Sequence, residues 1–75
     1  MLYRRMRDLR EDADLNQQEV AEHLHIMQST YSDYENGKRY ITADTMAKLA
    51  DYYGTSVDYL MGRTDEKKPY PKPEY

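Results

Sequence analysis

Apolar residues recur at helical spacing from the first residues of the chain. Leu2, Met6, Leu9 and Ala13 are separated by four, three and four positions, which places them on one face of a helix. The arginines and acidic residues between them fall on the opposite side and are expected to face water. The opening stretch is therefore predicted to be an amphipathic helix.

A second helix is predicted to start after Asn16. The Asn16 side chain can accept a hydrogen bond from a free amide at the helix start, and Glu19 can reach back to the Asn16 amide, as in a capping box. The stripe on this helix consists of Val20, Ala21 and Leu24. The segment "HIM" then interrupts the pattern.

Three more helices follow. "QSTYSDYE" has Tyr31 and Tyr34 on one side and ends at "NG", where Gly37 can take the left-handed conformation. "ADTMAKLADYY" follows Thr42, and the short "VDYLM" follows Ser56, two residues that can cap a helix. The pattern contains five helices and no convincing strand, so we predict an all-α fold.

The composition changes after residue 63. Residues 64–75 contain all three prolines of the chain and many charged residues. Such a segment has too little apolar surface to pack, so we predict a flexible, extended tail. The folded domain is predicted to span residues 1–63.

Helices two and three form a helix-turn-helix candidate, because both are short and a tight turn joins them. Ala21 is small where the two helices would cross closely, and Ile26 in the turn would fill the space between them. When a helix-turn-helix binds DNA, the start of its second helix reaches the base edges. In this chain that helix is helix three. The outward-facing residues of that helix are Gln28, Ser29, Ser32 and Asp33.

The chain resembles the Cro/phage-repressor helix-turn-helix family, also called the xenobiotic-response-element type, over residues 1–63. The resemblance is carried by Leu9 and Arg10, by Gln17, Val20, Ala21 and Ile26, and by the segments "QSTYS", "NGK", "LAD" and "SVDYLMG". It implies a compact five-helix, lambda-repressor-like domain. It also implies double-stranded DNA as the partner, bound by a homodimer on a pseudo-palindromic operator.

The resemblance assigns DNA contacts to individual positions. Gln28 and Ser29 occupy base-reading positions, where Gln can bond adenine through two hydrogen bonds and Ser tolerates several bases. Tyr40, in the loop after helix three, is a candidate for the sugar-phosphate backbone or, alternatively, for covering the core. The remaining candidates for backbone contacts are Gln17, Ser32, Asn36, Lys38 and Arg39.

Other positions carry structural expectations from the same resemblance. Arg10 and Glu35 are expected to form an internal ion pair between helices one and three, the alternative being two solvated charges. Tyr59 and Met61 are candidates for a dimer interface, the alternative being the core of the domain itself.

Three residues depart from the family pattern. His25 stands where glycine is common, so a residue with a side chain must adopt a positive φ. Met27 replaces a capping Ser or Thr. Asp33 can accept only from a base, which favours the cytosine amino group; it can instead face solvent or a protein partner. His23 and His25 lack further ligands at metal-binding spacing, so we expect no metal site.

The overall charge of −3 argues against DNA binding, because cationic side chains supply most non-specific affinity. The sign of the docking face matters more. If Glu35 is neutralised internally, Asp33, Lys38 and Arg39 leave that face weakly basic. Arginines of helix one can add to it; the candidates are Arg4, Arg5 and Arg7.

The remaining composition narrows the class of protein. There is no cysteine, no apolar run long enough for a membrane span and no signal peptide, so a cytoplasmic protein is expected. All nine aromatic residues are tyrosines, whose hydroxyls are expected to sit at the edge of the core, near a polar partner.

No catalytic constellation or cofactor-binding motif is present, so we expect neither an enzyme nor a bound cofactor. We expect a sequence-specific DNA-binding regulator, most often a repressor. The alternative is a protein-interaction module of the antirepressor or antitoxin-like class that has kept the fold.

Overall fold

The computed structural model describes residues 2–71. Over this range the chain contains no strand, and it forms the helices α1 (Arg4–Asp12), α2 (Gln17–Leu24), α3 (Gln28–Glu35), α4 (Ala43–Tyr53) and α5 (Val57–Leu60). The predicted all-α, five-helix fold is confirmed. None of these helices has the length and apolar character needed to cross a membrane.

The buried face of α1 is shorter than the spacing predicts. Met6 and Leu9 are buried, whereas Leu2 is 50% exposed and Ala13 is exposed. Leu2 precedes the first helical residue and Ala13 is the residue that ends the helix. Neither therefore keeps the helical periodicity, and the four-residue stripe is wrong at both ends.

The predicted capping box at the start of α2 is confirmed. The Asn16 Oδ1 atom accepts a hydrogen bond from the Glu19 amide at 2.8 Å, and Glu19 Oε1 accepts one from the Asn16 amide at 3.1 Å. α2 ends at His25, which has a φ of 58° and a ψ of 42°. His25 thus adopts the left-handed conformation for which glycine is preferred.

We expect His25→Gly to be more stable than His25→Ala by about 1 kcal/mol, because a Cβ is penalised in the left-handed region. At Glu22, an exposed position within α2, the order should reverse, with Ala better than Gly by about 1 kcal/mol. Urea denaturation of the four variants measures both differences. The same order at the two positions would show that His25 is not strained.

The core is formed by one cluster of ten buried residues contributed by all five helices: Met6, Leu9, Val20, Ala21, Leu24, Tyr31, Met46, Leu49, Ala50 and Leu60. Tyr31 is completely buried, although tyrosine hydroxyls were expected at the edge of the core. Its hydroxyl and that of Tyr53 have no well-aligned hydrogen-bond partner among the described residues. The Tyr31 hydroxyl nevertheless lies near the Glu35 carboxylate, so a polar group is close to it inside the core.

The segment after α5 does not extend away from the domain. The Arg5 guanidinium of α1 donates to the carbonyl oxygens of Tyr59, at 2.9 Å, and Thr64. It also pairs with the Asp65 carboxylate at 2.7 Å. Arg5 therefore ties the end of the domain to its beginning.

Two further hydrogen bonds hold the next part of this segment. Thr55 Oγ1 donates to the Lys67 carbonyl at 2.7 Å, and the Tyr70 hydroxyl donates to Asp58 at 2.8 Å. Thr64, Asp65, Lys67 and Tyr70 therefore contact the domain, while the flexible tail predicted for residues 64–75 stays a prediction. These hydrogen bonds join residues far apart in the sequence, so the apolar content of the segment does not indicate them. The rest of the predicted tail, residues 72–75, lies outside the described residues.

Candidate nucleic-acid interface

The start of α3 is open to solvent. Gln28 and Ser29 form its first turn and are both exposed. Met27, which precedes them, provides no side-chain cap and is 71% exposed. The two residues with base-reading roles in the family pattern are thus available to a partner.

The opposite end of α3 is anchored in the protein through Glu35. The Glu35 side chain has no exposed surface, and Arg10 of α1 binds it with two hydrogen bonds, from Nε at 2.7 Å and from Nη2 at 3.1 Å. Gln17 of α2 donates to the same carboxylate at 3.2 Å. One buried acid therefore fixes α3 relative to both preceding helices.

The charged state of this cluster follows from its contacts. Burial alone would raise the pKa of Glu35, but the interactions with Arg10, Tyr31 and Gln17 outweigh burial and hold that pKa below its usual value. Glu35 also raises the pKa of Arg10. Burial, and then the nearby Glu35 carboxylate, raises the pKa of the Tyr31 phenol. Glu35 is consequently ionised and neutralised within the domain at neutral pH.

The arginines of α1 face different ways. Arg7 approaches Glu35, with 3.6 Å between Arg7 Nε and Glu35 Oε1, and its side chain is half exposed. Arg5 instead contacts α5 and the segment after it. Of the two, only Arg7 lies beside α3, which corrects the expectation that Arg5 adds to the docking face.

Asp33 has a basic neighbour on the same surface. Arg39 Nε lies 3.9 Å from Asp33 Oδ2, and both side chains are more than one-third exposed. A pair this long and exposed contributes little to stability. It does place a positive charge beside the acid, so the negative field of Asp33 on this face is reduced.

The remaining candidates for backbone contacts lie near the end of α3. Asn36 Nδ2 donates to Ser32 Oγ at 3.3 Å, and Lys38 is exposed. Tyr40 is 85% exposed. The alternative that Tyr40 covers the core is therefore wrong, and its side chain is available to a partner.

The two dimer candidates differ in their surroundings. The Arg5 guanidinium lies 4.0 Å from the centre of the Tyr59 ring, and this ring packs against the core. Met61, by contrast, is 37% exposed. Tyr59 already has partners within the chain, so Met61 is the more accessible of the two for an interface.

The histidines do not combine into a metal site. His23 of α2 stacks on Tyr52 of α4, with ring centres 3.9 Å apart and an angle of 22° between the planes. His25 ends α2 in the left-handed conformation. Across residues 2–71, no three His, Asp or Glu side chains are grouped as metal ligation requires.

The helix order, the α2–α3 turn and the exposed start of α3 are accompanied by a match to the helix-turn-helix family over residues 6–60. The chain belongs to the helix-turn-helix family. This assignment confirms the resemblance to Cro/phage-repressor proteins.

Relatives of this helix-turn-helix chain are transcriptional regulators by name. The chain is 37% identical over 67 residues to the HTH-type transcriptional regulator ImmR of Bacillus subtilis (strain 168), covering 89% of this chain and 53% of that protein. It is 37% identical over 65 residues to the cryptic phage CTXphi transcriptional repressor RstR of Vibrio cholerae, covering 87% of this chain and 59% of that protein. The chain thus spans between half and two-thirds of the length of these relatives.

Several contacts of this helix-turn-helix domain were not predicted. Gln17 was expected to brace α3, but its bond to the buried Glu35 needed the tertiary structure. The pairing of Asp33 with Arg39 and the position of Arg7 were also missed. Of these contacts, only the Asp33–Arg39 pair had a signal in the sequence. The two opposite charges are six positions apart, on either side of the turn that ends α3.

Proposed function

We propose that the chain is a sequence-specific DNA-binding transcriptional regulator, a repressor that acts in the cytoplasm as a homodimer on an inverted-repeat operator. The observation that carries this proposal is the asymmetry of α3. Its first turn exposes Gln28 and Ser29, while its last residue, Glu35, is held by Arg10 and Gln17. A helix fixed at one end and exposed at the other suits insertion into the major groove.

The interaction has a phosphate-binding component and a base-reading component. Asn36, Lys38 and Tyr40 lie exposed after α3 and would contact the sugar-phosphate backbone, which positions the domain. Gln28 and Ser29 would contact bases, with adenine the preferred partner of Gln28. Asp33 would accept a hydrogen bond from a cytosine amino group. It would still repel the nearest phosphates, because its pair with Arg39 is long and exposed.

A selection from randomised duplexes tests this function. The purified protein is mixed with the pool at low salt, the retained duplexes are sequenced, and the selection is repeated at higher salt. We expect enrichment of an inverted repeat whose half-sites are centred about one helical turn apart. Absence of enrichment, with retention that disappears as salt rises, would reject sequence-specific binding.

A protein-interaction module is the second candidate. Two large apolar side chains flank α3, because Met27 precedes it and Tyr40 follows it, with 71% and 85% of their surfaces exposed. Exposed apolar side chains in such a position also suit a protein partner.

Asp33→Lys distinguishes the two functions. If α3 binds DNA, affinity at low salt should rise by about tenfold, because a charge that repels phosphate becomes one that attracts it, and the salt dependence should steepen. Asp51→Lys on α4 makes the same change of charge away from α3 and should have a much smaller effect. An unchanged DNA affinity together with weaker binding to a protein partner would favour the second function.

A further inference from the structure

A groove separates α1 from the end of α3. Its base includes the Glu35 carboxylate, whose Oε1 atom lies 3.6 Å from Arg7 Nε and 3.2 Å from Gln17 Nε2. The side chains that line the groove are Leu2, Arg4, Arg7, Asp8, Glu35 and Asn36. This surface lies outside the base-reading turn of α3.

We propose that Arg4 and Arg7 form a binding site for a phosphodiester of the DNA backbone. This inference rests on the proposed function and extends its contact surface to α1. Arg7 and Gln17 approach the same oxygen of Glu35, at 3.6 and 3.2 Å, so their polar ends lie in the same neighbourhood. Asn36 lines the same groove. A phosphate near Gln17 or Asn36 is therefore within reach of the Arg7 side chain.

The geometry of Arg7 suits this role. The Nε atom lies 3.6 Å from Glu35 Oε1, and the two terminal nitrogens make no hydrogen bond to any residue within 2–71. Arg7 remains half exposed, with 52% of its side-chain surface open. Its planar guanidinium can therefore bind a phosphate through two parallel hydrogen bonds from the terminal nitrogens.

The charges of the groove favour an anion after the internal pair is counted. Arg10 and Glu35 neutralise each other through two hydrogen bonds, and the Arg10 side chain is only 13% exposed. The charges that remain are those of Arg4 and Arg7 against Asp8. One positive charge therefore remains in excess, and Asp8 limits its strength.

The experiment measures DNA affinity as a function of salt for the wild type and two variants, with the duplex selected above. Arg7→Gln should reduce the slope of log K against log salt by about 0.9 per protomer, because one phosphate is no longer neutralised. Base preferences in the selection should stay unchanged, because phosphate contacts carry no sequence information. Asp8→Asn should act in the opposite direction and raise affinity.

Arg63→Gln is the matched control. Arg63 is exposed and pairs with Asp58 at 4.0 Å, after the end of α5, so its loss should leave the slope unchanged. Duplexes with a single neutral methylphosphonate linkage locate the contact. At one position the wild type should lose affinity while Arg7→Gln does not.

The outcomes separate this site from the proposed function. If the wild type binds its duplex and Arg7→Gln has the same slope and the same methylphosphonate profile, the phosphate site is overturned and the function remains. Equal effects of Arg7→Gln and Arg63→Gln would also overturn it, because they would reflect overall charge. If the wild type retains no duplex, both proposals fall.

Discussion

Replacing Arg10 by Met is expected to lower the free energy of unfolding by about 3–5 kcal/mol, the range for breaking a buried ion pair by removing one partner. Met keeps most of the aliphatic stem and removes the guanidinium. Glu35 would then be left without its two strongest hydrogen bonds while its side chain has no exposed surface. Arg7, at 3.6 Å, and Gln17, at 3.2 Å, compensate only in part.

The pH dependence of stability provides a second readout for Arg10→Met. In the wild type the pKa of Glu35 is lowered, so its stabilising contribution is present above the usual glutamate pKa and is lost as pH falls through the folded-state value. Without Arg10, burial dominates and raises that pKa. The contribution of Glu35 should then decrease as pH rises, so the sign of the acid dependence reverses.

Two further variants keep this prediction testable if Arg10→Met folds poorly. Arg10→Met combined with Glu35→Leu removes both charges and should recover most of the lost stability. Arg63→Met, at an exposed arginine paired at 4.0 Å, should change stability by less than about 0.5 kcal/mol. A loss below about 1 kcal/mol for Arg10→Met, measured by urea denaturation, would contradict the anchoring role of the pair.

The sequence was sufficient where a feature depends on neighbours a few positions apart. The Asn16–Glu19 capping box could be predicted because its two members are three residues apart and both hydrogen bonds are local. The left-handed conformation of His25 was expected from the resemblance, because His25 stands where the family commonly has glycine. Helix boundaries of this kind depend on hydrogen bonds between residues a few positions apart, so they can be predicted from the sequence.

Features that depend on distant partners were missed, except the Arg10–Glu35 pair, which the family resemblance implied. Arg5 contacts residues 54 to 60 positions away, and nothing in its local sequence distinguishes it from Arg7, which contacts Glu35 instead. The complete burial of Tyr31 is similar, because polar tyrosine is expected near the surface while its ring fills the centre of this core. Packing between helices determines these contacts and this burial, so they can be seen only in the folded structure.

The two ends of α3 have separate roles in the proposed interface. Contacts at Glu35 set where the helix lies, and a change there should disturb stability before it alters base preference. Exposed residues at the start of α3 make few contacts within the domain, so a change there should leave the fold intact. Loss of DNA selectivity without loss of stability is therefore the behaviour expected of a base-reading residue.

Gln28→Ala is expected to reduce discrimination at one base pair of each half-site by about 1–3 kcal/mol, because a bidentate pair between Gln and adenine would be lost. This corresponds to roughly 5- to 150-fold in the ratio of affinities for the preferred and the substituted duplex. The free energy of unfolding should stay within about 0.5 kcal/mol of the wild type, because Gln28 is exposed. Competition titrations with duplexes that differ at single positions measure the ratio.

Gln18→Ala is the matched control for Gln28→Ala. Gln18 is also an exposed amide near the start of a helix, but its Nε2 atom donates to Glu22 Oε1 within α2 at 3.2 Å. Its removal should leave every base preference unchanged. If Gln28→Ala also preserved the full set of preferences, the α3 docking geometry would have to place another residue against the bases, and the exposed Ser29 would become the first candidate.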